Sequence, residues 1–201
     1  MSNTWFTSDL HIGHQNILSY CPWNRPFDAI EEMNESLVEM WNKDVKEGDL
    51  VYFLGDFAMK FTFVEEFLPR LNGDKVLVSG NHDKWHPIHK GHLQTRQKVL
   101  KLDERIVGLY DGLPKAIGGM KFLLNHFPWK EEEAAEHNAY VSRFTEWKPS
   151  RAKHPKTVLL FGHRHSRMES RIINHSIEVT YDAWGRMVPL EEILEIAKEI
   201  I

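Results

Sequence analysis

Five times along the chain a short β-prone or apolar run stops abruptly at Asp, Asn or His, three times through a glycine. Thr4 to Ser8 (TWFTS) empties into Asp9-Leu10-His11, with Gly13 just beyond, and Leu50 to Leu54 (LVYFL) ends at Gly55-Asp56. Lys75 to Ser79 (KVLVS) runs into Gly80-Asn81-His82-Asp83, Lys121 to Leu124 into Asn125-His126, and Thr157 to Phe161 (TVLLF) into Gly162-His163-Arg164-His165. Continuous apolar runs of this length read as strands buried on both faces, which require layers on either side of a sheet. In open α/β sheets ligands bind outside the carboxyl ends of the strands, so five such exits can meet in one cleft.

The intervening segments fit that reading. From Ala29 to Val45 the residues Ile30, Met33, Leu37, Val38, Met40, Trp41 and Val45 recur at helical spacing behind Asp28, a candidate N-cap, so the Met and Trp side chains here are core. A second helix is expected from Phe63 to Leu71 and a closing one from Leu190 to Ile201. Further strands are expected at Ile106 to Leu109 and Lys115 to Ile117, the latter joined to Lys121–Leu124 by a hairpin turn at Gly118-Gly119, with a β-rich tail around Arg171 to Tyr181. Lys84 to Lys101 and Pro128 to Lys156 fit no regular element and read as surface excursions, the second with a short acidic helix. The fold expected is α/β: a two-sheet sandwich with outer helices and a ligand site at one sheet edge, in a single domain spanning 1–201.

Hydrophobic residues at 42% and charged residues at 27% exclude a disordered chain or a disulfide scaffold. Cys21 is the one cysteine, and the start MSNTWFTSDL lacks a secretory pattern, so a reducing, cytoplasmic setting is expected. No apolar run approaches the roughly 20 residues that cross a bilayer, so no membrane partner is expected. A net charge of −4 argues against a protein that holds nucleic acid mainly by neutralising phosphates, and a phosphate-bearing substrate would need another source of positive charge.

The chain has 12 histidines, and four of them stand with Asp9, Asp56 and Asn81 at the strand exits as His11, His126, His163 and His165. A single His at a strand end is ordinarily a hydrogen-bonded structural residue, and Asp or Asn there a turn residue. The set as a whole exceeds what one four-coordinate ion uses and suits two adjacent ions sharing a carboxylate. Imidazole with carboxylate or amide oxygen and no thiolate favours borderline-to-hard divalent ions such as Mn²⁺, Zn²⁺, Fe²⁺ or Ni²⁺.

These blocks, in this order, resemble those of the calcineurin-like metallophosphoesterases, over Thr4 to about His165. The resemblance implies the αββα sandwich of that family and a metal-dependent phosphoric ester hydrolase. Asp9, His11 and His165 would hold one metal ion, Asn81, His126 and His163 the other, and Asp56 would bridge them. Metal-activated hydroxide would attack phosphorus, His82 would protonate the leaving alkoxide, and Asp83 would orient that imidazole. Phosphodiesters, nucleotides among them, are the expected substrates. Nucleic-acid cleavage or end-processing is the alternative, and a non-catalytic metal-binding scaffold a further one. Lys84, Lys90, Arg96, Lys98 and Lys101 would form a basic rim for a phosphate-rich ligand, and Trp85 a stacking surface if exposed. His14 and Asn16 read as helix-start residues or pocket lining; Arg25 reads as a structural ion pair or a phosphate ligand; Arg164 points either to phosphate or into a salt bridge.

Overall fold

In a computed structural model, which describes residues 2–133 and 144–201, ten strands form two five-stranded sheets. The first holds β1 (Thr4–Thr7), β2 (Leu50–Phe53), β3 (Asp74–Val78) and β4 (Ile106–Tyr110) in parallel, with β10 (Val188–Pro189) antiparallel beside β1. The second has the order β5 (Leu113–Ile117), β6 (Met120–Leu124), β7 (Val158–Phe161), β9 (Ser176–Glu178) and β8 (Ile172–Ile173), and mixes parallel with antiparallel pairs. The expected hairpin is present, with Ile117 opposite Met120 across the glycines.

The apolar runs are continuous because alternate residues enter different layers. Tyr52, Leu54, Val76 and Val78 meet Phe122, Leu124, Val158 and Leu160 between the sheets. Val51, Phe53 and Leu77 face outward against Met33, Leu37 and Trp41 of α2 (Ile30–Asp44) and Val64 and Phe67 of α3 (Phe61–Phe67). On the outside of the second sheet, Leu123, Leu159 and Phe161 pack on Trp129. The closing helix, numbered α7 here (Leu190–Ile200), sends Ile193 and Ala197 into the inter-sheet cluster and so seals that layer.

Two local expectations need correction. Asp28 does not cap α2; the helix starts after Ala29, and Glu32 reaches back to accept the Asp28 backbone N–H at 3.3 Å. Lys84 to Lys101 is not irregular throughout, because it contains α4 (His92–Val99), and Trp85 and His86 are buried. The acidic helix is α5 (Lys130–Glu133), and the part of Pro128 to Lys156 between 134 and 143 lies outside the described residues. The remaining short helices are α1 (Ile17–Tyr20) and α6 (Tyr181–Trp184).

Beyond the strand ends the loops are laced together. Asp9 N–H donates to the Gly55 carbonyl at 2.9 Å, His11 N–H to Asp56 at 3.1 Å, and Gly162 N–H to His126 at 3.0 Å. These bonds tie the exits of β1 to β2 and of β6 to β7, and His163 N–H, donating to Asp9 Oδ2 at 3.0 Å, joins the two sheets' exits at one rim. No described helix is long and apolar enough to cross a membrane.

Candidate metal centre

Asp9, His11 and His165 gather their ligand atoms within 4.8 Å of one another, and so do Asp56, His126 and His163. Asp56 Oδ2 lies between the groups, 3.6 Å from His11 Nε2 and 3.5 Å from His126 Nε2. Asp9 Oδ1 is 3.6 Å from His11 Nε2 and 3.4 Å from His165 Nε2. Asn81 Oδ1 is 3.1 Å from His126 Nε2, which in turn lies 3.3 Å from His163 Nδ1.

Most of these separations are long for hydrogen bonds. Donors about 2.1 Å from a tetrahedrally held ion stand about 3.4 Å apart, so they match edges of a coordination shell instead. Asp9 Oδ1 and His11 Nε2 are buried without a hydrogen-bond partner, an arrangement costly for polar atoms unless something else takes up their lone pairs. His126 Nδ1 lies 2.9 Å from the Leu54 carbonyl, where it donates, leaving the Nε2 lone pair to face the cluster. The donors present fit divalent cations.

The backbone is bent to achieve this. Of seven described non-glycine residues with positive φ, five are candidate ligands: Asp9 (57°), His11 (51°), Asp56 (57°), His163 (75°) and His165 (52°). Two glycines allow the carboxylates to come close. A Cβ on Gly80 would strike Asp56 Oδ1, and one on Gly162 would strike Asp9 Oδ2.

Burial opposes charge on Asp56, yet His126, His11 and His82 outweigh it and hold the carboxyl well below its usual range. Asp9 is likewise lowered, by His126 and His11 against burial. Burial also disfavours charge on His126, but Asp56 and Asp9 raise it to about 9, while burial and the His126 charge push His163 down to about 3. A cation binding there would compete with protons for the facing imidazole lone pairs.

His82 differs from the buried donors. Its side chain is 41% exposed, its Nε2 is 3.9 Å from Asp56 Oδ2, and its backbone N–H donates to Asp56 Oδ1 at 2.8 Å. It lines a cleft of about 830 Å³ together with His14, Arg164 and the exposed Tyr20 and Trp23.

Asp83 does not orient the His82 ring, contrary to expectation. Both its oxygens are taken by backbone N–H groups: Oδ1 by Phe57 at 2.9 Å, Oδ2 by Asp56 at 2.9 Å and Gly80 at 2.8 Å. It ties the loop after β2 to the loop after β3. Arg25 is a structural ion pair, buried on Asp182 at 2.7 and 3.0 Å and on the Leu10 and Asp9 carbonyls. His14 lines the cleft, whereas Asn16 caps the start of α1 without a side-chain bond.

Asp182 was not anticipated. Its Oδ2 lies 2.6 Å from His165 Nδ1, fixing that ring so that Nε2 faces Asp9. The signal was a sixth run, Ile177 to Thr180, that also ends within two residues of an aspartate.

A family model described as calcineurin-like phosphoesterase matches residues 2–184, which includes every residue of this cluster. The chain belongs to the calcineurin-like phosphoesterases. It is thus a metal-dependent phosphoester hydrolase. Among relatives of this phosphoesterase, the Gene 66 protein of Mycobacterium phage D29 is 34% identical, with 100% of this chain and 98% of that protein covered. The Gene 66 protein of Mycobacterium phage L5 is 32% identical over 100% and 96%. The phosphoesterase also superposes on the crystal structure of the Aquifex aeolicus protein of unknown function AQ665 with a TM-score of 0.67, at 25% identity and 98% and 100% coverage.

Proposed function

We propose that this phosphoesterase hydrolyses phosphodiesters, nucleotides among them, with two divalent ions, Mn²⁺ foremost. Asp9, His11 and His165 would hold one ion, Asn81, His126 and His163 the other, and Asp56 would contribute to both. The observation that carries this reading is the position of Asp56 Oδ2, nearly equidistant from His11 and His126. A metal pair supplies Lewis-acid charge on the phosphoryl oxygens and a nucleophile from water, which gives this acidic chain the positive charge a phosphoester requires.

The chain's own residues do the rest. Asp83 fixes the Asp56 and Gly80 backbones, and Asp182 fixes His165. His82, the exposed imidazole above the buried donors, gives its ring proton to the departing alkoxide oxygen as the phosphorus–oxygen bond breaks.

Turnover of a chromogenic phosphodiester and of the matching monoester, with Mn²⁺ and after chelation, tests the reading. Hydrolysis is expected with Mn²⁺, faster for the diester, and none after chelation. His82→Ala should lower kcat by about 10²- to 10⁴-fold for an alkyl leaving group and less for nitrophenolate, which departs without a proton. Metal content should stay at two ions per chain. Loss of metal in that variant, or equal losses for both leaving groups, would remove His82 from the acid role.

A further inference from the structure

Beside the active cleft lies a second hollow of about 390 Å³, lined by Phe61, Lys84, His89, Lys90, Thr95 and Lys98. His89 lines both spaces and forms a wall between them, with its Nε2 2.8 Å from the Asn81 backbone carbonyl. Three lysines line this wall, Lys98 with its Nζ 6.0 Å from the centre of the Phe61 ring, and no carboxylate lines it, in a chain whose net charge is −4. None of the three lysines forms an ion pair among the described residues.

The neighbouring basic residues are used differently. Arg96 is committed to the Trp85 carbonyl at 2.9 Å and to Asp111, so it belongs to the framework of α4 and not to the hollow. Trp85 is buried and offers no stacking face. Of the described exposed aromatics, Tyr20 and Trp23, at 62% and 37%, line the active cleft, whereas Tyr110 does not. Lys101 lines neither space, so the expected five-residue rim contracts to a pocket of three lysines next to a cleft with aromatic walls.

Lysines without a carboxylate partner that line a concavity form a binding site for a phosphate group, which ammonium ions hold as point charges. The geometry points to a substrate that carries a second phosphate besides the one that is cut, held by Lys84, Lys90 and Lys98, with a base against Tyr20 or Trp23: a nucleotide strand or its short fragments. This inference rests on the diesterase reading above and adds to it the feature that selects among diesters.

The test compares a thymidine dinucleotide with and without a 5′-phosphate, in the parent protein with Mn²⁺ and in Lys84→Gln/Lys90→Gln/Lys98→Gln. In the parent the terminal phosphate should lower KM by about tenfold, the scale of one charge-assisted contact. In the triple variant the two dinucleotides should have the same KM, while turnover of bis(p-nitrophenyl) phosphate is unchanged. Calorimetry with thymidine 3′,5′-bisphosphate and thymidine 3′-monophosphate reads the hollow without turnover. The bisphosphate should bind the parent more tightly and lose that advantage in the variant. A bisphosphate preference lost in the variant, with no diester hydrolysed by either protein, would keep the lysine site and discard the diesterase reading. The same preference in parent and variant, or no preference in the parent, overturns the lysine site.

Discussion

At the scale of single residues, the site depends on side chains that never contact phosphate. Asp182 is the strongest case: it receives two guanidinium bonds from Arg25 and approaches His165 Nδ1 at 2.6 Å. Burial opposes its charge, but His165 and Arg25 hold the carboxyl far below its usual range, and the same contact raises His165 well above its own. Groups that orient metal-binding histidines commonly contribute 10- to 100-fold in metal affinity. Asp182→Asn, which keeps the shape and removes the charge, should weaken binding of one Mn²⁺ by about that factor, measured by calorimetry, and leave the second nearly unchanged. Equal weakening of both would mean that Asp182 supports the loops generally and not His165. Left-handed backbone at Asp9, His11, Asp56, His163 and His165 adds a local cost of about 1 kcal/mol or more each, which the lacing between loops sustains.

At the scale of elements, the turn from α2 into β2 is held by Asp49. Its buried carboxylate accepts the Asn3 N–H at 2.7 Å, Trp5 Nε1–H at 3.1 Å and the Lys46 N–H at 3.0 Å, and so locks the start of β1 to the next strand. Burial resists the charge, but these donors prevail and lower the carboxyl below its usual value. A folded-state pKa below the unfolded one, about 3.9, stabilises the protein above that pH, and the benefit is lost as pH falls through the folded value. Asp49→Ala should cost about 1–3 kcal/mol in urea unfolding at pH 7, with the gap to the parent narrowing below about pH 4. A gap independent of pH would show that packing, not the charge, is what Asp49 contributes.

The same scale explains what could be read in advance. Buried strands announce themselves because every residue of runs such as VLLF has an apolar layer to enter. The helix α4 was hidden because HLQTRQKV has no apolar stripe and buries only Val99. Asp83 was misread because adjacency to His82 along the chain says nothing of where a carboxylate turns once a loop folds back on its neighbour. The clustering of the candidate donors was legible because they lie at strand ends, whose meeting place the sheet dictates. Their support lies in contacts across 157 positions, as between Arg25 and Asp182, which local patterns do not encode.

At the scale of the whole molecule, the proposed donors are divided between the sheets. Asp9, His11, Asp56 and Asn81 follow strands of the first, and His126, His163 and His165 follow strands of the second. Ligands that bind only the folded chain stabilise it by mass action, about 2.7 kcal/mol for one site at a hundred times its dissociation constant. Mn²⁺ should therefore raise the thermal midpoint of the parent and a chelator should lower it, with a smaller rise for Asp56→Asn. An unchanged midpoint would mean that the folded and unfolded chains bind the ion alike. Because each proposed ion takes donors from both halves of the sandwich, the pair would rivet one half to the other across the open rim. Stripping the ions would then unfasten a seam as well as silence a catalyst, leaving that edge the first place for the protein to come apart.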